Sequence, residues 1–219
     1  MMNQAASPGR RRALARLALL ALAAASLMAC ERAGSPQTAR GGGAPGKQAF
    51  RGIDITGAAW GQDFRLRDTD GNYRQLADFR GKAVLLYFGF TQCPDVCPTA
   101  LVRAAEVKQL LGEQGARLQV LLVTVDPERD TPEILRSYVT AFDPDFMALR
   151  GDAAELKKTA ADFRIYYKKV PTGSSYTMDH SAQAYVFDAQ GKLRLSLRHE
   201  QTAQDYAHDI ALLLGQPPV

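Results

Sequence analysis

Cysteine is scarce in this chain of 219 residues: there are three, alongside three histidines and one tryptophan. Cys30 belongs to the N-terminal segment, so only Cys93 and Cys97 remain for the rest of the chain. A structural zinc centre takes four protein ligands, which two thiolates do not supply. Acids are missing from residues 1–29, which carry four arginines and no Asp or Glu. Taking those 4 from the 27 basic residues leaves 23 against 23 acids, so the remainder is neutral. The basic isoelectric point therefore belongs to the N-terminal segment, and the charge gives no basis for a nucleic-acid partner. The N-terminal apolar stretch, Leu17 to Ala29, has 13 residues, short of the roughly 20 that a comfortable bilayer span needs. Large apolar residues are nearly absent from residues 31–49 (ERAGSPQTARGGGAPGKQA). That composition cannot bury a core and marks a flexible tether. No internal repeat is visible.

What is present begins with a targeting pattern. Arg10, Arg11, Arg12 and Arg16 precede the short apolar stretch, which ends in small residues. This is the physics of a secretory signal. Leu27-Met28-Ala29-Cys30 resembles a bacterial lipobox, which implies cleavage before Cys30 and lipidation of that residue. The expected organisation is a lipoprotein-type signal peptide over 1–29, a lipidated tether over 30–50 and one domain over 51–219. The domain is expected on the periplasmic, extracytoplasmic face of a membrane, held there by the lipid anchor. Its length, about 170 residues, suffices for one well-buried core.

Within that domain, Phe64-Arg65-Leu66-Arg67 alternates, Asp68 to Asn72 turns, and Tyr73 and Leu76 resume. This reads as a hairpin. Lys82 to Phe90 and Arg117 to Val125 are continuous apolar runs of strand length, suited to buried central strands. Pro98 stands where a helix would begin, and apolar residues from Leu101 to Leu111 follow at helical spacing. Thr131-Pro132 predicts a capped helix start, and Ala153 to Phe163 a further helix. Lys168 to Met178 reads as a loop or exposed hairpin. Gln183–Phe187 and Leu193–Leu197 read as strands joined by an Asp188–Gly191 turn, and Gln204–Leu214 as a closing helix. The order implies an α/β fold, a central mixed sheet flanked by helices with an N-terminal hairpin. A dithiol where the first buried strand meets its helix is the position of the redox site in a thioredoxin-like fold.

That dithiol is Cys93-Pro94-Asp95-Val96-Cys97-Pro98. Cys97 sits at a predicted helix N-terminus, whose dipole should lower its thiol pKa. The three-residue spacing lets both sulfurs face one metal or close into a disulfide. Two soft thiolates with one imidazole suit copper, and they equally suit redox chemistry. Among the histidines, His199 looks solvated and His208 reads as a surface residue of the last helix. His180 precedes an apolar strand, on the loop expected to face the dithiol. Asp179 is a candidate acceptor orienting His180, or a solvated carboxylate. Asp95 is placed to tune the cysteines. Asp126 to Thr131 reads as turn formation and capping. Tyr87, Phe88 and Phe90 read as core. A peroxidase of the peroxiredoxin type fits poorly, because Thr91 stands two residues before Cys93 rather than three.

Taken together, CPDVCP, VDPERDTPE at 125–133, AFDP at 141–144 and MDHS at 178–181 resemble the Sco/SenC family of copper chaperones. The resemblance runs from about Gly52 to the C-terminus. It implies a thioredoxin-like domain in which Cys93, Cys97 and His180 bind copper, as Cu(I) and Cu(II). It implies a role in assembling the dinuclear copper centre of cytochrome c oxidase. The expected partner is the copper-bearing oxidase subunit or another copper protein. The alternative it leaves is a thiol-disulfide oxidoreductase that uses Cys93 and Cys97 as a catalytic dithiol on the target's cysteines.

Overall fold

A computed structural model of the chain describes residues 49–215. The expectations for residues 1–48, including the signal, Cys30 and all but the last two residues of the tether, lie outside the described residues; Phe50, at the end of that tether, packs against the core. Among the described residues are ten strands, β1 Ile53–Asp54, β2 Leu66–Asp68, β3 Tyr73–Arg74, β4 Ala83–Gly89, β5 Leu118–Thr124, β6 Met147–Arg150, β7 Tyr167–Thr172, β8 Ser175–His180, β9 Ala184–Phe187 and β10 Leu193–Leu197. Four α-helices accompany them: α1 Val96–Leu110, α2 Pro132–Thr140, α3 Ala153–Asp162 and α4 Ala203–Leu213. Eight strands make one sheet in the order β1-β10-β9-β4-β5-β6-β2-β3, and β7 and β8 form a separate two-stranded sheet. No helix among the described residues is long and apolar enough to cross a membrane.

The two long apolar runs are the centre of the sheet. Strands β4 and β5 pair in parallel from Ala83↔Leu118 to Gly89↔Thr124, and β9 lies antiparallel on the other side of β4. Their runs are continuous rather than alternating because both faces are covered. Leu85 and Tyr87 pack beneath Leu101, Ala104, Leu135 and Tyr206, brought by α1, α2 and α4. Leu86 and Phe88 pack beneath Leu156, Ala160 and Phe163, brought by α3. Each fully buried Leu or Phe of this kind contributes about 1.5–3 kcal/mol. The core reading of Tyr87, Phe88 and Phe90 holds, since all three are buried.

Local chemistry sets the boundaries. Thr131 caps α2 by accepting the Ile134 N–H at 3.3 Å, with Pro132 in the first turn. Helix α1 starts at Val96, two residues before Pro98, so Pro98 is the third helical residue rather than the first. Strand β6 was not anticipated. Its four residues, MALR, are too few to show a period.

A repeat does exist at the level of turns. Asp68-Thr-Asp-Gly71-Asn-Tyr-Arg74 and Asp188-Ala-Gln-Gly191-Lys-Leu-Arg194 fold alike. In the first, Asp68 Oδ1 accepts the N–H groups of Asp70 and Asn72, and Oδ2 accepts Arg74 Nε. In the second, Asp188 Oδ1 accepts the N–H groups of Gln190 and Lys192, and Oδ2 accepts Arg194 Nη1. The glycine in each turn has positive φ, 86° and 70° respectively, a backbone region closed to most side chains. Only Asp, Gly and Arg recur, which is why the sequence shows no repeat.

Candidate metal centre

Three segments converge at the carboxyl end of β4. The loop after β4 carries Cys93, the first turn of α1 carries Cys97, and the last residue of β8 is His180. His180 thus ends a strand instead of lying in a loop. One donor atom from each of Cys93, Cys97 and His180 lies within 4.8 Å of the others. His180 Nε2 stands 3.6 Å from Cys97 Sγ. Its other ring nitrogen, Nδ1, lies 2.9 Å from the Ser181 carbonyl, which calls for a proton on Nδ1 and turns Nε2 towards the sulfurs. Asp179 is exposed and does not take that role. The imidazole also stands edge-on to the Phe90 ring, with centroids 5.8 Å apart.

The two sulfurs are unbridged and unequal. Cys97 is buried at 4 % exposure, seated against Gly89. A Cβ at Gly89 would come within 2.8 Å of Cys97 Sγ, so only glycine leaves room for this sulfur. Cys93 is half-buried, above the helix start. The Cys97 N–H donates to Cys93 Sγ at 3.4 Å. The helix N-terminus therefore favours the thiolate of Cys93, not of Cys97 as the sequence suggested.

The Cys97 thiol is the main donor to Cys93. With His180 and the N–H groups of Asp95 and Cys97, it holds the Cys93 pKa down to about 3 against the opposing effect of burial. The Cys97 pKa is pushed well above the ordinary thiol range, first by its hydrogen bond to Cys93 and then by burial. Asp95, exposed, acts through its backbone N–H.

The segment after β5 does more than turn and cap. Asp130, fully buried, accepts Thr91 Oγ1 at 2.6 Å, the Thr91 N–H and Thr124 Oγ1. It ties the loop before Cys93 to the end of β5. Burial raises its carboxyl pKa, and the Thr124 and Thr91 donors oppose this. Asp126, also buried, pairs with Arg129 Nε and accepts the Tyr176 hydroxyl at 2.9 Å. Gly89 and Arg129 escaped the sequence reading. A glycine ending a strand beside a Cys motif was the available signal for the first; the second lies within the quoted VDPERDTPE, which was read only as turn and cap.

The remaining histidines stay away from the centre. His208 is buried, not a surface residue, and its Nδ1 lies 2.9 Å from Asp209 Oδ1. His199 is half-buried rather than solvated, and its Nδ1 has no hydrogen-bond partner. Among the described residues, Cys93, Cys97 and His180 form the one cluster of three or more Cys, His, Asp or Glu residues with metal-ligand spacing. Two soft sulfurs and one borderline nitrogen fit a copper ion, as Cu(I) through the thiolates and as Cu(II) with the imidazole.

Fold and centre together define a thioredoxin-like domain with a thiolate–imidazole metal centre at the first strand–helix junction. The SCO1/SenC family profile matches residues 54–215, and the chain belongs to that family. The protein SCO2 homolog, mitochondrial, of Bos taurus is 42% identical over 151 residues, covering 67% of this chain and 57% of its own. The copper-bound ScoI of Bradyrhizobium japonicum is 38% identical with a TM-score of 0.65, covering 71% of this chain and 99% of its own. The fold also matches BsSco, a member of the Sco family of cytochrome c oxidase assembly proteins, at 21% identity and a TM-score of 0.59, covering 77% of this chain and 98% of its own. Against the curated relatives, the chain spans 57% to 66% of their length in the first matches.

Proposed function

We propose that this chain is a copper chaperone, which binds copper as cargo through Cys93, Cys97 and His180. Its role is to deliver copper to, or prepare, the dinuclear copper centre of cytochrome c oxidase. The carrying observation is the convergence of two sulfurs and His180 Nε2 within 4.8 Å. A disulfide reductase needs only the dithiol. An imidazole aimed at the sulfurs, with its far nitrogen held by a carbonyl, is what a metal site needs. The copper-bound ScoI relative, and BsSco as a member of a family of cytochrome c oxidase assembly proteins, support the same reading. Titrating the reduced protein with Cu(I) and with Cu(II) tests it. One equivalent of each should bind, and binding of neither would reject it.

The division into a signal over 1–29, a tether over 30–50 and a domain over 51–219 belongs to this proposal. So does lipidation at Cys30, which places the copper centre on the extracytoplasmic face of a membrane beside a copper-bearing oxidase subunit. The lipobox-like Leu27-Met28-Ala29-Cys30 supports it. Mass spectrometry of the membrane-bound protein should find acylated Cys30 as the first residue. An intact residue 1–29 segment would contradict it.

A further inference from the structure

The hairpin that presents His180 is not part of the main sheet. Strands β7 and β8 pair only with each other among the described residues. A lone two-stranded sheet is marginal in water and has no ladder to set its height against the rest of the fold. Cys93 and Cys97, by contrast, are fixed from β4 and α1, Cys97 by its seat on Gly89. Met178 of β8 packs into the core, with Tyr167 and Tyr176 against it, but apolar contact is non-directional and leaves the register of His180 against the sulfurs to polar contacts.

The contacts of Arg129 answer this need. Its Nη1 donates to the Gln92 side-chain oxygen at 3.0 Å, on the loop beside Cys93. The same nitrogen donates to the Tyr176 carbonyl at 2.8 Å, on the strand that ends in His180. The guanidinium lies over the Tyr176 ring at 3.7 Å and, more distantly, faces Phe90, the ring on which His180 rests edge-on. Its Nε is held by buried Asp126, whose other oxygen takes the Tyr176 hydroxyl. One side chain thus joins the cysteine loop, the hairpin and the end of β5. Only a planar fork can serve an acid, a carbonyl, an amide and an aromatic face together, which lysine cannot reproduce.

We infer that Arg129 is a positioning residue: it sets the place of His180 against the dithiol and thereby the protein's hold on Cu(II) relative to Cu(I). The inference rests on the copper reading above. Cu(I) can stay on two thiolates, whereas Cu(II) requires the imidazole. Loss of Arg129 therefore acts on one oxidation state.

The test compares the full-length reduced chain with Arg129→Gln and Arg129→Lys. Competition titrations give Cu(I) and Cu(II) affinities, and hydrogen exchange of Ser175–His180 is followed in the metal-free proteins. In Arg129→Gln, Cu(II) affinity should fall about tenfold or more, in the range typical of outer partners of a metal site. Cu(I) affinity should stay within about threefold, and the hairpin amides should exchange faster. Arg129→Lys should lie between. An equal loss for both oxidation states would mark a general stability effect and overturn the inference, as would an unchanged Cu(II) affinity. Should Arg129→Gln not fold, Tyr176→Leu removes the stacked ring while leaving Asp126 and Arg129 paired, and must show the same selective loss. If the wild type binds no copper, the chaperone reading fails, and the metal-free exchange data alone decide the positioning role: unchanged exchange overturns it.

Discussion

His180 Nε2 lies 3.6 Å from the sulfur of Cys97, a residue 83 positions earlier in the chain. The sulfur is anchored by the helix after β4, and the imidazole arrives on a hairpin outside the main sheet. Removing the imidazole leaves both thiols in place. His180→Ala should therefore lower Cu(II) affinity by more than the roughly 10–100-fold carried by outer partners. Cu(I) affinity should fall far less, and the dithiol should still oxidise to a disulfide. His199→Ala is the control and should leave copper binding intact. His208→Ala is unsuitable as a second control, because His208 is buried against Asp209. Normal Cu(II) binding by His180→Ala would remove the third ligand and favour the disulfide-reductase alternative.

The unequal cysteines give a pH signature. Cys93 has a folded pKa of about 3 against an ordinary thiol value of 9.0. A depressed acid contributes stability that is complete above its unfolded pKa and is lost as pH falls towards the folded one. For Cys93 that contribution shrinks from pH 9 down to about 3. Cys97, raised, stays protonated throughout this window. The reduced, metal-free protein should thus show the ultraviolet absorbance of one thiolate from about pH 5 to pH 8, with no second rise. Copper loading at neutral pH should release one thiol proton rather than two. Two thiols titrating together near their ordinary value would contradict the asymmetry.

Much of this was legible in the sequence, and the misses share a cause. Strands β4 and β5 were readable because continuous apolar runs reflect burial on both faces. The cysteine pair and His180 were readable because their residue types are rare in this chain. Depth was not readable. His208 sits among Asp205 and Asp209, a polar pattern that reads as solvated, yet α4 lies flat on the sheet and buries both His208 and Asp209. The Cys97 sulfur was placed correctly along the helix, but its seat against Gly89 puts it in the core, where the helix end stabilises its neighbour instead. Arg129 stands in VDPERDTPE, but its role was not readable because Gln92 and Tyr176 reach it only through tertiary folding.

Asp209 is where the domain closes on its own beginning. Its carboxylate, with no exposed surface, accepts the N–H of Arg51 at 2.9 Å and of Gly52 at 2.7 Å, besides facing His208. Asp209→Ala removes the charged acceptor shared by the N–H groups of exposed Arg51 and half-buried Gly52, at a cost of about 3 kcal/mol in total. The melting temperature should drop by about 6 °C or more for a domain of this size. Copper affinity of the folded protein should be unchanged, since Asp209 makes no contact with the three ligands. A melting temperature within about 1 °C of wild type would show that the contact contributes little.

Gly89 offers the complementary perturbation. A methyl group there meets Cys97 Sγ at 2.8 Å and Leu122 Cδ1 at 3.2 Å. Leu122 is buried on the neighbouring strand β5 and its contact is the looser of the two, so most of the displacement falls on Cys97. Gly89→Ala should cost about 1–3 kcal/mol by overpacking. It should also weaken Cu(I) and Cu(II) together, because a thiolate shared by both oxidation states has moved. This separates it from His180→Ala, which spares Cu(I). Competition titrations on the two variants, run side by side, make the comparison. If Gly89→Ala retains wild-type Cu(I) affinity, the seat of Cys97 is not what fixes the dithiol.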